Sequence, residues 1–140
     1  MTSASVERQE VKTGSAKILV AEDVKDIREL ISFTLRAAGY DVWTARDGVE
    51  AVEIAQEILP DLVLLDVRMP RMTGYEACEV MKQREGLQDI PVVFLSAKGQ
   101  EAEIQRGMKV GAVAYILKPF APADLTLRVQ ELLSTVVDKE

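Results

Sequence analysis

The chain has 140 residues, 48% of them apolar, which is enough to enclose the core of one domain. Its 17 basic and 23 acidic residues leave a net charge of −6, which works against direct nucleic-acid binding, because that depends on clustered Lys and Arg. It has no histidine and one cysteine, Cys78, which excludes Ser-His-Asp catalysis, histidine-bound metals, phosphohistidine carriage, an internal disulfide and a cysteine-rich zinc site.

Residues 1–15 are polar, rich in Ser, Thr, Glu and Gly, and read as a flexible N-terminal arm ahead of a domain spanning 16–138. They lack a secretory apolar block, and no stretch approaches the roughly 20 apolar residues of a membrane span, so a cytoplasmic protein without membrane contact is expected. The first apolar run, Lys17 to Ala21, fits a buried strand and stops at Glu22 and Asp23. Lys25 to Ala38 follows a helical period through Ile27, Leu30, Ile31 and Leu35, and Gly39 stands where a left-handed cap belongs. Asp41 to Ala45 alternates more weakly and reads as an edge strand, followed by a helix from Gly48 to Leu59.

Asp61 to Leu65 is the next strand-like run and stops at Asp66. The helix expected from Gly74 to Arg84 carries Cys78 between Ala77 and Met81 on its apolar face, as a plain core residue, and Gly86 is placed as its cap. Pro91 to Leu95 stops at Ser96. The helix from Gln100 to Val110 is bracketed or interrupted by Gly99 and Gly107, an interior glycine costing about 1 kcal/mol relative to alanine, and reads as the mobile segment. Val113 to Leu117 leads into Lys118 and Pro119, and Pro122 suits the first turn of a last helix running to Val137.

Strands alternating with helices in this way predict an α/β fold: a flavodoxin-like, doubly wound, five-stranded parallel sheet of order 2-1-3-4-5 with five helices. In that order the first and third strands adjoin at the switch point, where ligands bind at the strands' carboxyl ends. Taken singly, Asp23 could cap the next helix, Ser96 could begin a turn and Lys118 could face solvent. Taken together, the sheet order brings Glu22, Asp23, Asp66, Ser96 and Lys118 to one edge. Like charges about 4 Å apart at an effective dielectric near 20 oppose each other by roughly 4 kcal/mol, so a cation is expected among the carboxylates. All-oxygen donors without histidine or thiolate suit magnesium, whereas calcium would want more oxygens and a ligand loop such as an EF-hand.

The strand-end acids, Asp66 followed by Val67-Arg68-Met69-Pro70 and Gly74, Ser96-Ala97, and Tyr115 with Lys118-Pro119-Phe120 resemble the receiver domain of two-component response regulators, of the chemotaxis-regulator kind. The resemblance runs from about Ala16 to Val137. It implies that Asp66 accepts a phosphoryl group from a phosphohistidine on a sensor histidine kinase or phosphotransfer protein. Asp23, Asp66 and the backbone carbonyl of Arg68 would bind Mg2+, and Glu22 would act mainly through a bound water. Ser96 and Lys118 would contact phosphoryl oxygens, and the Lys118-Pro119 peptide would be cis.

The same resemblance makes Ser96 and Tyr115 the switch. The hydroxyl swings to the phosphate, the Tyr115 ring turns inward, and the face of the fourth helix, last strand and fifth helix is remodelled for a downstream protein. The result is a signalling switch that catalyses its own phosphorylation and slow dephosphorylation, not a conventional enzyme. Arg68 and Lys98 would line the mouth of the site, and without metal Arg68 is expected to pair with Glu22 or Asp23. Receivers attached to winged-helix transcription factors usually carry acidic residues just before the last strand. Val113 and Ala114 stand there instead, which favours a hydrophobic homodimer or a heterotypic contact over a charged dimer.

Three other readings fit less well. A haloacid-dehalogenase-type phosphohydrolase wants a second acid two residues after its nucleophile, where Arg68 stands, and this chain has no room for a cap. A degenerate docking module would not need every chemical group that is present. A flavodoxin would need a phosphate loop where Glu22 and Asp23 would repel phosphate. The few residues after the fifth helix fit either a stand-alone regulator or a piece of something longer.

Overall fold

Residues 15–97 and 101–138 are described by the computed structural model of the chain. The elements alternate throughout: β1 (Lys17–Ala21), α1 (Lys25–Ala37), β2 (Asp41–Ala45), α2 (Gly48–Ile58), β3 (Leu62–Asp66), α3 (Gly74–Lys82), β4 (Val92–Ser96), α4 (Glu101–Lys109), β5 (Ala114–Leu117) and α5 (Pro122–Asp138). The strands are all parallel and lie in the order β2-β1-β3-β4-β5, the flavodoxin-like sheet that the alternation predicts. β2 is an edge strand, in keeping with its weak pattern, and β5 forms the other edge. The expected arm, apart from Ser15, lies outside the described residues, as do Lys98, Gly99 and Gln100. No described helix is long and apolar enough to cross a membrane.

The sheet is held between two apolar layers, and strand alternation assigns each residue to one of them. Leu19, Ala21, Val63, Leu65 and Phe94 pack on one side with Ala51, Val52 and Ala55 of α2 and Ala77, Cys78 and Met81 of α3. Ile18, Val20, Leu62, Leu64, Val93 and Leu95 pack on the other with Ile31 and Leu35 of α1 and Leu125 and Val129 of α5. All five positions of β3 and of β4 are buried, which explains why these two runs are apolar almost without a break.

Several boundaries shift from those expected, and the shifts move the polar strand ends. β3 begins at Leu62 because Asp61 turns its carboxylate to the Lys17 amide at 2.8 Å. β4 begins at Val92 because Pro91 has no N–H to donate and serves only through its carbonyl, which accepts from Val63. Asp66 and Ser96 are thus the last residues of their strands, paired in register with Leu95 and Leu117. α2 stops at Ile58 because Leu59 turns into the left-handed region, φ 49°. α3 stops at Lys82, two residues short of the expected end at Arg84. Gly39 and Gly86 both have positive φ, as expected of caps.

Two glycines are fixed by neighbours. A Cβ on Gly74 would lie 2.3 Å from the Asp66 carbonyl oxygen, so only glycine lets α3 start against the end of β3. Gly107 sits inside α4 without interrupting it, and its missing side chain is the space occupied by the Tyr115 ring. A Cβ there would be 2.5 Å from Tyr115 Cε1.

Candidate functional site

The ends of β1, β3, β4 and β5 converge at one edge of the sheet. Glu22 is fully buried, Asp23 beside it is exposed, and Asp66 is buried at the end of the adjoining strand. Carboxylate oxygens of these three residues all lie within 4.8 Å of one another. Lys118, just beyond β5, reaches across β4 and β3 to place its Nζ 2.7 Å from Glu22 Oε1 and 3.3 Å from Asp66 Oδ1. The Lys118-Pro119 peptide is cis, as the resemblance implies.

The electrostatics follow from burial. Removal from water raises the Asp66 carboxyl well above the usual carboxylate range, the Glu22 charge raises it further, and Lys118 opposes both. Burial alone would lower the Lys118 ammonium, but the hydrogen bond to Glu22 and the charge of Asp66 outweigh it and raise it. One ammonium thus serves two buried carboxylates, and an acid and a proton remain in excess. All-oxygen donors on a partly open edge, with Asp23 still facing solvent, fit a hard divalent cation that keeps some of its water.

Arg28, which the sequence did not single out, supports the acidic turn from behind. Its Nη1 donates to the Glu22 carbonyl at 2.9 Å and to the Asp23 carbonyl at 3.4 Å. The Glu22 carboxylate also accepts from the Val24 amide at 3.2 Å. The loop after Asp66 is pinned to the start of α2. Arg71, at φ 66°, donates to both Asp47 oxygens at 2.9 and 3.2 Å, and the Gly48 amide donates to the Met72 carbonyl at 3.1 Å. Burial by itself would raise the Asp47 carboxyl, but the Arg71 guanidinium and the Glu50 amide together lower it.

Arg68 does not take the place expected of it. Its side chain is exposed, and among the described residues the ammonium of Lys118 pairs with Glu22 instead. Lys118 has the advantage because it approaches from the neighbouring strand ends within the sheet edge, whereas Arg68 leaves the edge on the loop. Arg68 lines an adjoining cleft of about 380 Å3 with Tyr75, Glu103 and Arg106. Lys98 lies outside the described residues.

Ser96 is buried, and its hydroxyl donates to Glu103 Oε1 of α4 at 3.1 Å. Tyr115 lies against Phe94, ring centroids 5.5 Å apart, and Tyr75 meets Phe94 edge-on at 5.0 Å. The two tyrosine hydroxyls are 2.8 Å apart, and both donate to the Glu103 carbonyl. The Arg106 guanidinium stacks 4.4 Å from the centre of the Tyr75 ring. Burial, then the Tyr75 hydrogen bond, raises the Tyr115 phenol. Val113 is exposed ahead of β5 and Ala114 is its buried first residue. Cys78 is an inert core thiol, pushed up to about 11 chiefly by burial.

The profile of the response regulator receiver domain family matches residues 18–130. A probable transcriptional regulator, ycf27, of Cyanophora paradoxa is 42% identical over 117 residues, covering 84% of this chain and 48% of that protein. The alkaline phosphatase synthesis transcriptional regulatory protein PhoP of Bacillus subtilis is 39% identical over the same shares of both chains. The chain spans about half the length of these curated relatives. Among solved structures, chemotaxis protein CheY4 of Vibrio cholerae is 35% identical with a TM-score of 0.80, over 85% of this chain and 98% of that one. The receiver domain of sensor histidine kinase PA1611 from Pseudomonas aeruginosa, solved with magnesium coordinated in its active site cleft, is 29% identical. Its TM-score is also 0.80, over 86% and 98% of the two chains.

Proposed function

The chain belongs to the response regulator receiver domain family, and from that premise we propose that Asp66 is the residue at which it takes and loses a phosphoryl group. The observation that carries this reading is the meeting of Glu22, Asp23, Asp66 and Lys118 at the carboxyl edge of the sheet. Asp66 Oδ is the nucleophile: it forms a bond to phosphorus as the bond from phosphorus to the donor's imidazole nitrogen breaks, leaving an acyl phosphate. Burial makes Asp66 hold its proton more tightly than an ordinary carboxylic acid, so that proton must leave before attack.

Asp23, Asp66 and the Arg68 carbonyl would hold Mg2+, with Glu22 acting through a bound water. When bound, magnesium supplies positive charge against the carboxylates and the incoming phosphoryl oxygens. Lys118 turns from its two carboxylates to a phosphoryl oxygen, and Ser96 gives another its hydroxyl proton. These roles are positioning and charge matching, with no general base needed. Water later hydrolyses the acyl phosphate and resets the switch.

The donor is a sensor histidine kinase or phosphotransfer protein, and the readout is a downstream protein at the α4-β5-α5 face, where Ser96 and Tyr115 act as the switch. Val113 and Ala114 direct that face toward a homodimer or heterotypic contact instead of a charged dimer. Residues 16–138 form the receiver domain behind an N-terminal arm, and the setting is cytoplasmic. Relatives named as transcriptional regulators are about twice as long, so DNA contact belongs to what this chain lacks relative to them, in keeping with its net charge of −6.

The test is incubation with magnesium and a small acyl phosphate, followed by intact mass. One added phosphoryl group on the wild type and none on Asp66→Asn is the expected result. An unmodified wild type, or equal modification of both, overturns the assignment.

A further inference from the structure

Glu103 is attached to the site and to the aromatic pair at once. Its carboxylate receives the Ser96 hydroxyl proton at 3.1 Å. Its carbonyl receives the hydroxyls of Tyr75 and Tyr115, and one turn further along α4 the gap at Gly107 is filled by the Tyr115 ring. One residue therefore ties the end of β4, the start of α3 and the middle of β5 to α4.

A serine hydroxyl has a single proton to donate. A phosphoryl group carries a charge of about −1.5 to −2 and would demand that proton while repelling the Glu103 carboxylate. The geometry points to Glu103 as a resting-state latch: its carboxylate holds the Ser96 hydroxyl that phosphorylated Asp66 must take over, and its carbonyl passes the release to Tyr75 and Tyr115. This rests on Asp66 being the acceptor. Arg106 and Arg68 line the same cleft as Glu103 and are the cations placed to receive its freed carboxylate. Glu103 is a positioning residue, since it acts on the phosphoryl group only through Ser96.

Coupling between two sites is reciprocal, so a latch that phosphorylation opens must also oppose phosphorylation. Glu103→Ala removes the carboxylate and leaves the carbonyl, whereas Glu103→Gln keeps a neutral acceptor. The experiment is titration of the whole chain, in saturating magnesium, with trifluoroberyllate as the phosphoryl mimic, read by 19F NMR of the bound anion. Glu103→Ala is expected to tighten binding roughly tenfold, the effect of losing one charge-assisted hydrogen bond, and Glu103→Gln less. In a Ser96→Ala background the Glu103→Ala gain should vanish, because nothing remains to be latched. Urea unfolding of each variant establishes that it is folded. Unchanged affinity in Glu103→Ala, or the same gain in both backgrounds, overturns the latch. A wild type that fails to bind trifluoroberyllate removes the acceptor reading itself, and the latch with it.

Discussion

Gly107→Ala tests whether the Tyr115 ring is held in the place described. The new methyl carbon would lie 2.5 Å from Tyr115 Cε1, 2.6 Å from its hydroxyl oxygen and 2.8 Å from Phe94 Cδ2. Phe94 is fully buried and cannot yield, so the half-buried Tyr115 must move. Leaving its place breaks its bonds to Tyr75 and Glu103, about 1 kcal/mol each, in addition to an overpacking cost of about 1–3 kcal/mol. Against this stands the helix preference of alanine over glycine, about 1 kcal/mol. The balance is a loss of roughly 1–3 kcal/mol, measurable by urea unfolding. In a Tyr115→Ala background the clash is gone, and the same substitution should stabilise by about 1 kcal/mol. A Gly107→Ala variant as stable as wild type, or no change of sign in the Tyr115→Ala background, would refute this packing argument.

Gly74→Ala places a methyl 2.3 Å from a backbone oxygen of Asp66, which no side-chain rotation relieves. A loss of more than about 2 kcal/mol in urea unfolding is expected, with less phosphorylated product by intact mass. Lys118→Met leaves Glu22 and Asp66 buried without their ammonium, at a cost of about 3 kcal/mol in metal-free unfolding that added magnesium should partly restore. Asp47→Asn keeps the cap on α2 and weakens the bond to Arg71. The folded-state pKa of Asp47 is lowered, so its contribution is full above the unfolded value near 3.9 and is lost as pH falls through the folded value. The stability gap between wild type and Asp47→Asn should therefore be widest near neutral pH and close in acid, which unfolding at pH 7 and pH 3 would check.

The fold was legible because β3 and β4 are buried on both faces, which keeps them apolar up to one polar terminal residue. That contrast marked Asp66 and Ser96, and the sheet order placed them beside Glu22 and Lys118. What escaped the sequence are contacts made by ordinary surface residue types across long separations. Arg71 is 24 residues from Asp47, and Tyr75 is 28 from Glu103, with no periodicity to announce either pair. The cation of the metal-free site was misassigned for a related reason: side-chain reach from a strand end, not nearness in sequence, decides that Lys118 outcompetes Arg68. Gly107 looked like a break in a helix because its reason lies on β5, in the ring of Tyr115.

The two apolar layers stabilise the sheet, and the cluster at its edge works against them. Two buried carboxylates beside one ammonium cost desolvation that their mutual attraction only partly offsets. Well-packed apolar residues of similar volume would serve the fold at least as well, so stability does not explain the arrangement. A cation that binds only the folded state does explain it, because binding then adds stability that grows with the logarithm of its concentration. On this argument, replacing both Glu22 and Lys118 with apolar residues should stabilise the metal-free chain while abolishing its response to magnesium. A double variant that lost stability instead would show the cluster to be structural.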